Sequence, residues 1–176
     1  QYVRLGVDHL RMAQLSASDA LTGLHNRRHL EHVLPTLLAS NQPIVVGVVD
    51  LDGFKRVNDE LGYAVGDRVL QEVAGLLAGS CRRGDPVVRL GGDEFVVVLR
   101  QMQVEKGLEV FERMRRSICE HHFEGVSEVM DLGVSIGVLP LEPGHQFDLG
   151  TVLAKASGAM QQSKRGGRNR VTVVEA

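Results

Sequence analysis

The chain has 176 residues and a formal net charge of −2, the size of one domain or of one domain with a short appendage. Its 43% hydrophobic and 24% charged residues are ordinary for a globular protein and exclude a disordered chain. The slight acidic excess argues against a non-specific nucleic-acid binder, and 4% aromatics with no tryptophan argue against a base-stacking platform. Cys81 and Cys119 stand far apart without a C-x-x-C, which excludes a disulfide framework or a cysteine-built zinc site and suits a reducing compartment. Apolar runs such as 96–99 are far shorter than the roughly 20 residues that span a bilayer, and no signal-peptide pattern opens the chain. A cytoplasmic location is expected. Because the chain begins at Gln1, it reads as a fragment of a larger protein, soluble or membrane-bound.

Residues 1–17 carry Val3, Leu10 and Ala17 at seven-residue spacing, a linker helix expected to come from an upstream domain. A polar, turn-prone stretch from Ser18 to Asn26 follows. Leu30, Val33, Leu34, Leu37 and Leu38 then predict a helix that Pro35 should kink or restart. The β-branched run 44–49 predicts a buried strand leading into Asp50-Leu51-Asp52. Val69, Leu70, Val73, Leu76 and Leu77 predict a helix over 67–80. Two apolar runs, 87–90 and 95–99, joined by Gly91-Gly92-Asp93-Glu94, predict a β-hairpin. An amphipathic helix over 104–122, a strand over 132–139, a helix from Asp148 to about Lys164 and a last strand over 171–174 complete the order. A hairpin between helical crossovers is a split βαβ arrangement: one mainly antiparallel sheet flanked by helices, an α+β sandwich with a ferredoxin-like βαββαβ core.

Two features carry chemistry. Asp50 and Asp52, two apart on an extended backbone, point to the same side. Asp93 and Glu94 sit at the hairpin tip behind two glycines that permit positive φ and a close approach of a ligand to the backbone. If the strand pairs beside the hairpin, Asp50 and Asp93 converge, and like charges about 4 Å apart repel by roughly 4 kcal/mol at an effective dielectric of 20. A divalent cation converts that repulsion into coordination, and hard magnesium completes its shell with phosphate oxygens. The plain alternative is a solvated turn with charges at strand ends.

The segment Arg89-Leu-Gly-Gly-Asp-Glu-Phe95 resembles the signature of the GGDEF-domain diguanylate cyclases. Four further segments match in order: 19–28 the D-x-LTGL-x-NRR opening, 50–59 the D-x-D-x-FK-x-x-ND run, 62–67 the G-H-x-x-G-D run and 164–169 the K-x-x-GRN ending. Together they cover roughly 18–174, nearly everything beyond the lead-in. The resemblance implies a palm-like fold shared with nucleotidyl cyclases, and condensation of two GTP into cyclic di-GMP with release of two pyrophosphates. It implies a homodimer in which each 3′-hydroxyl attacks the α-phosphorus of the other GTP. It assigns Asp50, Asp93 and the Leu51 carbonyl to a Mg²⁺ or Mn²⁺ ion, and Glu94 to the reacting groups. Asn58 and Asp67 are assigned to the guanine edge, Gly91 and Gly92 to a backbone cradle, and Lys164 and Arg168 to the β- and γ-phosphates. Capping roles are the plain alternative for Asn58 and Asp67, and the helix dipole for Lys164 and Arg168.

Arg82-Arg-Gly-Asp85 stands five residues before Gly91, where the family carries its R-x-x-D product-inhibition motif. The resemblance thus implies an inhibitory cyclic di-GMP site at Arg82 and Asp85, completed by Arg113. Tyr63 stands where the family has His, Ser157 and Gln161 where it has Asp and Tyr, and Ser163 where it has Ala. A zinc site at His25, His29 and His32 is not expected, for want of a fourth ligand. His121 and His122 read as an exposed helix end. The alternative to a cyclase is a catalytically silent module that senses cyclic di-GMP or GTP, and a mixed guanine–adenine product is a third reading that Asp67 disfavours.

Overall fold

The computed structural model describes residues 17–176. The lead-in helix expected upstream lies outside these residues, apart from Ala17, which stands in a turn. The elements are β1 (His25–Asn26), α1 (Arg27–Ala39), β2 (Ile44–Asp52), α2 (Phe54–Leu61), α3 (Tyr63–Gly79), β3 (Val87–Gly91), β4 (Glu94–Arg100), α4 (Val104–Glu120), β5 (Gly133–Leu141), α5 (Leu149–Arg165) and β6 (Val171–Val173).

The six strands form one sheet in the order β1-β3-β4-β2-β5-β6. Its three inner pairings are antiparallel, and a parallel pair closes each edge. The expected mainly antiparallel sheet between helical layers is therefore what forms. Strand β2 lies at the centre, and its alternation sorts the two cores. Val45, Val49 and Leu51 pack with α2, α3 and α4, while Ile44, Val46 and Val48 pack with α1 and α5. Asp50 and Asp52 continue the second set, so they open on the side that the end of α5 reaches.

Four elements differ from expectation: the first is β1, which forms at His25–Asn26 inside the stretch expected to be a turn, by pairing in parallel with Val88 and Arg89 of β3. Helix α2 is an unanticipated element: Phe54, Val57 and Leu61 have helical spacing, but the five residues among them that are charged or amide-bearing hide it in an eight-residue segment. Helix α3 begins at Tyr63 rather than 67, immediately after Gly62 in a left-handed conformation at φ 89°. Pro35 neither ends nor restarts α1. The carbonyl it leaves unpaired belongs to Glu31, and both residues face solvent, where water can take that bond.

The turn-prone opening also has a structural partner. The Asp19 carboxylate accepts from the Thr22 amide (2.9 Å), the Thr22 hydroxyl (2.7 Å) and the Arg89 guanidinium (3.1 and 3.2 Å). Arg89 also donates to the Gly92 carbonyl at 2.9 Å, so it braces the hairpin tip against the opening turn. Burial pushes the Asp19 carboxyl up, but the Thr22 and Arg89 bonds outweigh it and hold its pKa below the usual value. A lowered folded pKa stabilises above the unfolded value and loses that stabilisation as pH falls through the folded one. Asp19→Asn should therefore cost about 1–3 kcal/mol at neutral pH. The gap to wild type should narrow in urea titrations taken below the ordinary aspartate value of 3.8. A gap independent of pH would show that the charge is not what stabilises the turn.

Candidate active site

The centre of the sheet brings the predicted acidic groups together. Asp50 lies in register opposite Glu94, and the Leu51 amide donates to the Asp93 carbonyl at 3.4 Å. Gly91 and Gly92 take φ of 151° and 54°, conformations that let the chain reverse between β3 and β4 with Asp93 at the tip. Lys164, in the last turn of α5, sets its Nζ 2.6 Å from Asp50 and 3.2 Å from Asp52. The two aspartates do share one side, as their spacing requires.

The electrostatics follow from crowding. Burial, and then the neighbouring Asp50 carboxylate, push the Asp93 carboxyl above its ordinary value. Burial raises Glu94 likewise, with Asp50 and Asp93 adding to it. Burial opposes the Lys164 ammonium, but its bonds to Asp50 and Asp52 outweigh that and raise its pKa. Among the described residues no three His, Cys, Asp or Glu side chains form a metal cage by themselves. Asp50 and Asp93 nevertheless fit a hard divalent cation that takes its remaining oxygens from a phosphate ligand. The crowding of carboxylates around Asp93 is the kind of charge such a cation relieves.

Asp52 is committed differently. It accepts from the Ser135 hydroxyl (2.9 and 3.0 Å) and from the Asn169 amide (2.9 Å) in addition to Lys164. Arg115 of α4 donates to the Asn169 side-chain oxygen at 3.1 Å. Ser135 and Arg115 escape sequence reasoning, because neither lies in a matching segment and each acts through a residue distant in the chain. Asn169 lies inside the K-x-x-GRN match, and that is its signal.

The guanine-edge candidates occupy consecutive helices. Asn58 packs on Gly66, where an added Cβ would come within 1.9 Å of its Oδ1. That Oδ1 is buried without a hydrogen-bond partner, and Asp67 follows Gly66 directly. Neither residue caps its helix: Asn58 lies inside α2 and Asp67 is the fifth residue of α3. Tyr63 is 77% exposed at the start of α3. Arg168 is exposed and follows α5 in a left-handed conformation at φ 62°. Two of the departures in α5 have a visible setting. Gln161 is exposed, so no packing rests on it, and Ser163 donates to the Ile136 carbonyl at 2.9 Å and lies 2.7 Å from the Thr172 hydroxyl.

Arg82, Asp85 and Arg113 line a separate cavity of about 210 Å³ between the end of α3 and α4. Asp85 also folds the turn: it accepts from the Arg82 amide (3.1 Å) and from the Arg100 amide (3.1 Å), and its side chain is almost fully buried. Arg113 donates to the Ser80 carbonyl at 3.0 Å. Of the histidines, His25 and His29 stack with ring centroids 3.6 Å apart. His121 is not a free helix end, since its Nε2 lies 2.6 Å from Glu72 of α3.

Known proteins resemble this chain in sequence and in fold. The family profile described as "Diguanylate cyclase, GGDEF domain" matches residues 16–170. The diguanylate cyclase DgcP of Pseudomonas aeruginosa is 36% identical over 91% of this chain, which covers 24% of that protein. The response regulator PleD of Caulobacter vibrioides is 34% identical over 97% of this chain and 38% of its own length. The chain thus spans well under half of these relatives. Among solved structures, the coiled coil and GGDEF domain of DgcB from Caulobacter crescentus, in complex with c-di-GMP, superposes with a TM-score of 0.89 at 27% identity. That match covers 98% of this chain and 93% of the other. Diguanylate cyclase SiaD from Pseudomonas aeruginosa, bound to its activator SiaC, gives 0.85 at 31% identity, over 98% of this chain and 68% of the other. The sheet order, the acidic hairpin beside β2 and these matches make the chain a member of the GGDEF-domain family of diguanylate cyclases.

Proposed function

We propose that residues 18–176 form a diguanylate cyclase domain that condenses two GTP into cyclic di-GMP and two pyrophosphates where two copies meet face to face. The observation that carries this reading is the junction of Asp50, Asp93 and Glu94 at the centre of the sheet, with Lys164 reaching into it from α5. A bound Mg²⁺ or Mn²⁺, held by Asp50, Asp93 and the Leu51 carbonyl, supplies charge neutralisation on the phosphates. Lys164 and Arg168 bind the β- and γ-phosphates, one as a point charge and the other as a planar fork. Gly91 and Gly92 let those phosphates lie against the backbone. Asp67 offers its exposed carboxylate to the donors on the guanine edge, and Asn58, packed on Gly66 beside it, completes that edge of the site. Glu94 stands beside the reacting groups. The reaction needs both GTP molecules aligned for mutual in-line attack, which one subunit alone cannot arrange.

The cavity at Arg82, Asp85 and Arg113 suits the guanines and phosphates of the product, with two guanidinium groups and a carboxylate on its wall. Binding there gives product inhibition. Among the described residues no helix is long and apolar enough to cross a membrane, and a cytoplasmic setting beneath an upstream sensor domain suits the chemistry. The test is chromatography of products from GTP and Mg²⁺ across a protein-concentration series, after bound nucleotide has been stripped. A cyclic di-GMP peak whose rate per unit protein climbs with concentration is expected. Bound GTP with no product at any concentration would replace this reading with a silent sensing module.

A further inference from the structure

Asp52 has no established task in the reading above, yet it is one of few buried charged or hydroxyl side chains among the described residues, at 7% exposure. Its oxygens already accept from Ser135, Lys164 and the Asn169 amide. A carboxylate so occupied is a poor metal ligand but a rigid anchor. What it anchors is unusual. Arg168 and Asn169 are consecutive non-glycine residues at φ 62° and 44°, and two left-handed residues in a row persist only where the surroundings hold them. Asp52 holds the Asn169 amide and Arg115 holds its side-chain oxygen, while the Arg168 amide donates to the Ser163 carbonyl at 3.0 Å.

We infer that Asp52 is a positioning residue: its buried carboxylate places Lys164 directly and Arg168 through the backbone of Asn169, and so sets the affinity for the β- and γ-phosphates. The inference rests on the GTP reading of the site. The two aspartates of the strand end share Lys164, which lies 2.6 Å from Asp50, and what Asp52 adds is its hold on the Ser135 hydroxyl and the Asn169 amide. A loop displaced by about an ångström is enough to weaken such a grip severely.

The experiment compares the binding of 3′-deoxy-GTP, which lacks the attacking hydroxyl, with that of GMP, which lacks the β- and γ-phosphates, by calorimetry in Mg²⁺. In Asp52→Asn the preference for the triphosphate should fall about tenfold while GMP affinity holds, and the KM for GTP should rise in step. If the carboxylate only stabilises the fold, the melting temperature drops and the preference stays within about twofold of wild type, which overturns the inference. Should Asp52→Asn not fold, Ser135→Ala keeps the charge and removes one donor to it. Its preference should fall about threefold, and an unchanged preference overturns the inference equally. Wild-type protein with no preference for the triphosphate over GMP overturns the nucleotide reading and this inference with it.

Discussion

Replacing Asp93 by Asn is expected to lower cyclic di-GMP formation by about three orders of magnitude, or about 4 kcal/mol of transition-state stabilisation, without weakening the fold. The loss follows from removing one of the two carboxylates that face the cation site. The stability result follows from the crowding. A carboxyl whose folded pKa is raised binds its proton more tightly in the folded state. Its stabilising contribution is present at low pH and lost as pH rises from the ordinary value of 3.8 through the folded one. At neutral pH wild-type Asp93 is therefore a burden on the fold that a neutral amide of the same shape removes. Urea titration at pH 7 should show Asp93→Asn at least as stable as wild type, alongside the collapse of turnover at saturating GTP. Turnover within tenfold of wild type would move the cation away from the hairpin tip. A destabilised variant would show that the clustered charge is not strained.

Gly137→Ala should be the most damaging single-methyl change in the sheet, costing about 3 kcal/mol or more. A Cβ at this position of β5 would lie 2.0 Å from the Ala156 carbonyl oxygen and 2.1 Å from the Met160 amide nitrogen. These are backbone atoms of α5 and cannot rotate away, so the helix itself must move. Lys164 lies in the last turn of that helix, so the displacement carries its ammonium off Asp50 and Asp52. Stability and GTP affinity should fall together. Gly158→Ala on the same helix is the control: nothing lies within 4 Å of the added methyl, and the gain in helix propensity should be about 0.5–1 kcal/mol. Denaturant midpoints with GTP titrations on both variants make the comparison. A Gly137→Ala protein as stable as wild type would mean that α5 is not seated by this close approach.

The sheet apart from β1 was legible because its strands are apolar, largely β-branched runs with clear bounds, and the hairpin because its glycines stand where the turn needs positive φ; β1 is a histidine and an asparagine with no strand signal of their own. Asp50, Asp93, Glu94 and Lys164 stood out because each lies in a matching segment at or near the end of a strand or helix. Helix α2 did not, since eight mostly polar residues leave a weak period. The role of Asp52 was hidden for another reason. Spacing places it beside Asp50, but only the tertiary fold shows that Ser135, Lys164 and Asn169 fill its lone pairs. The Asp19–Arg89 brace was invisible on the same ground, with 70 residues between its ends. Patterns along the chain report periods and turns; they do not report which distant side chains meet.

The reach of those meetings has a kinetic side. Asp52 contacts Lys164 across 112 residues and the Asn169 amide across 117. Closing loops of that length carries an entropy cost that is met only after intervening elements have formed, and non-local pairing slows folding. The hairpin pairs with β2 across 44 to 56 residues, about half the separation of the Asp52 contacts or less, so the end of the site that holds Lys164 and Asn169 is expected to form last. A partly folded chain, or one whose α5 has transiently peeled away, therefore holds an intact acidic centre with no grip on a triphosphate tail. On the nucleotide reading proposed above, competence for GTP would wait on the seating of α5, and a half-made domain would spend no nucleotide.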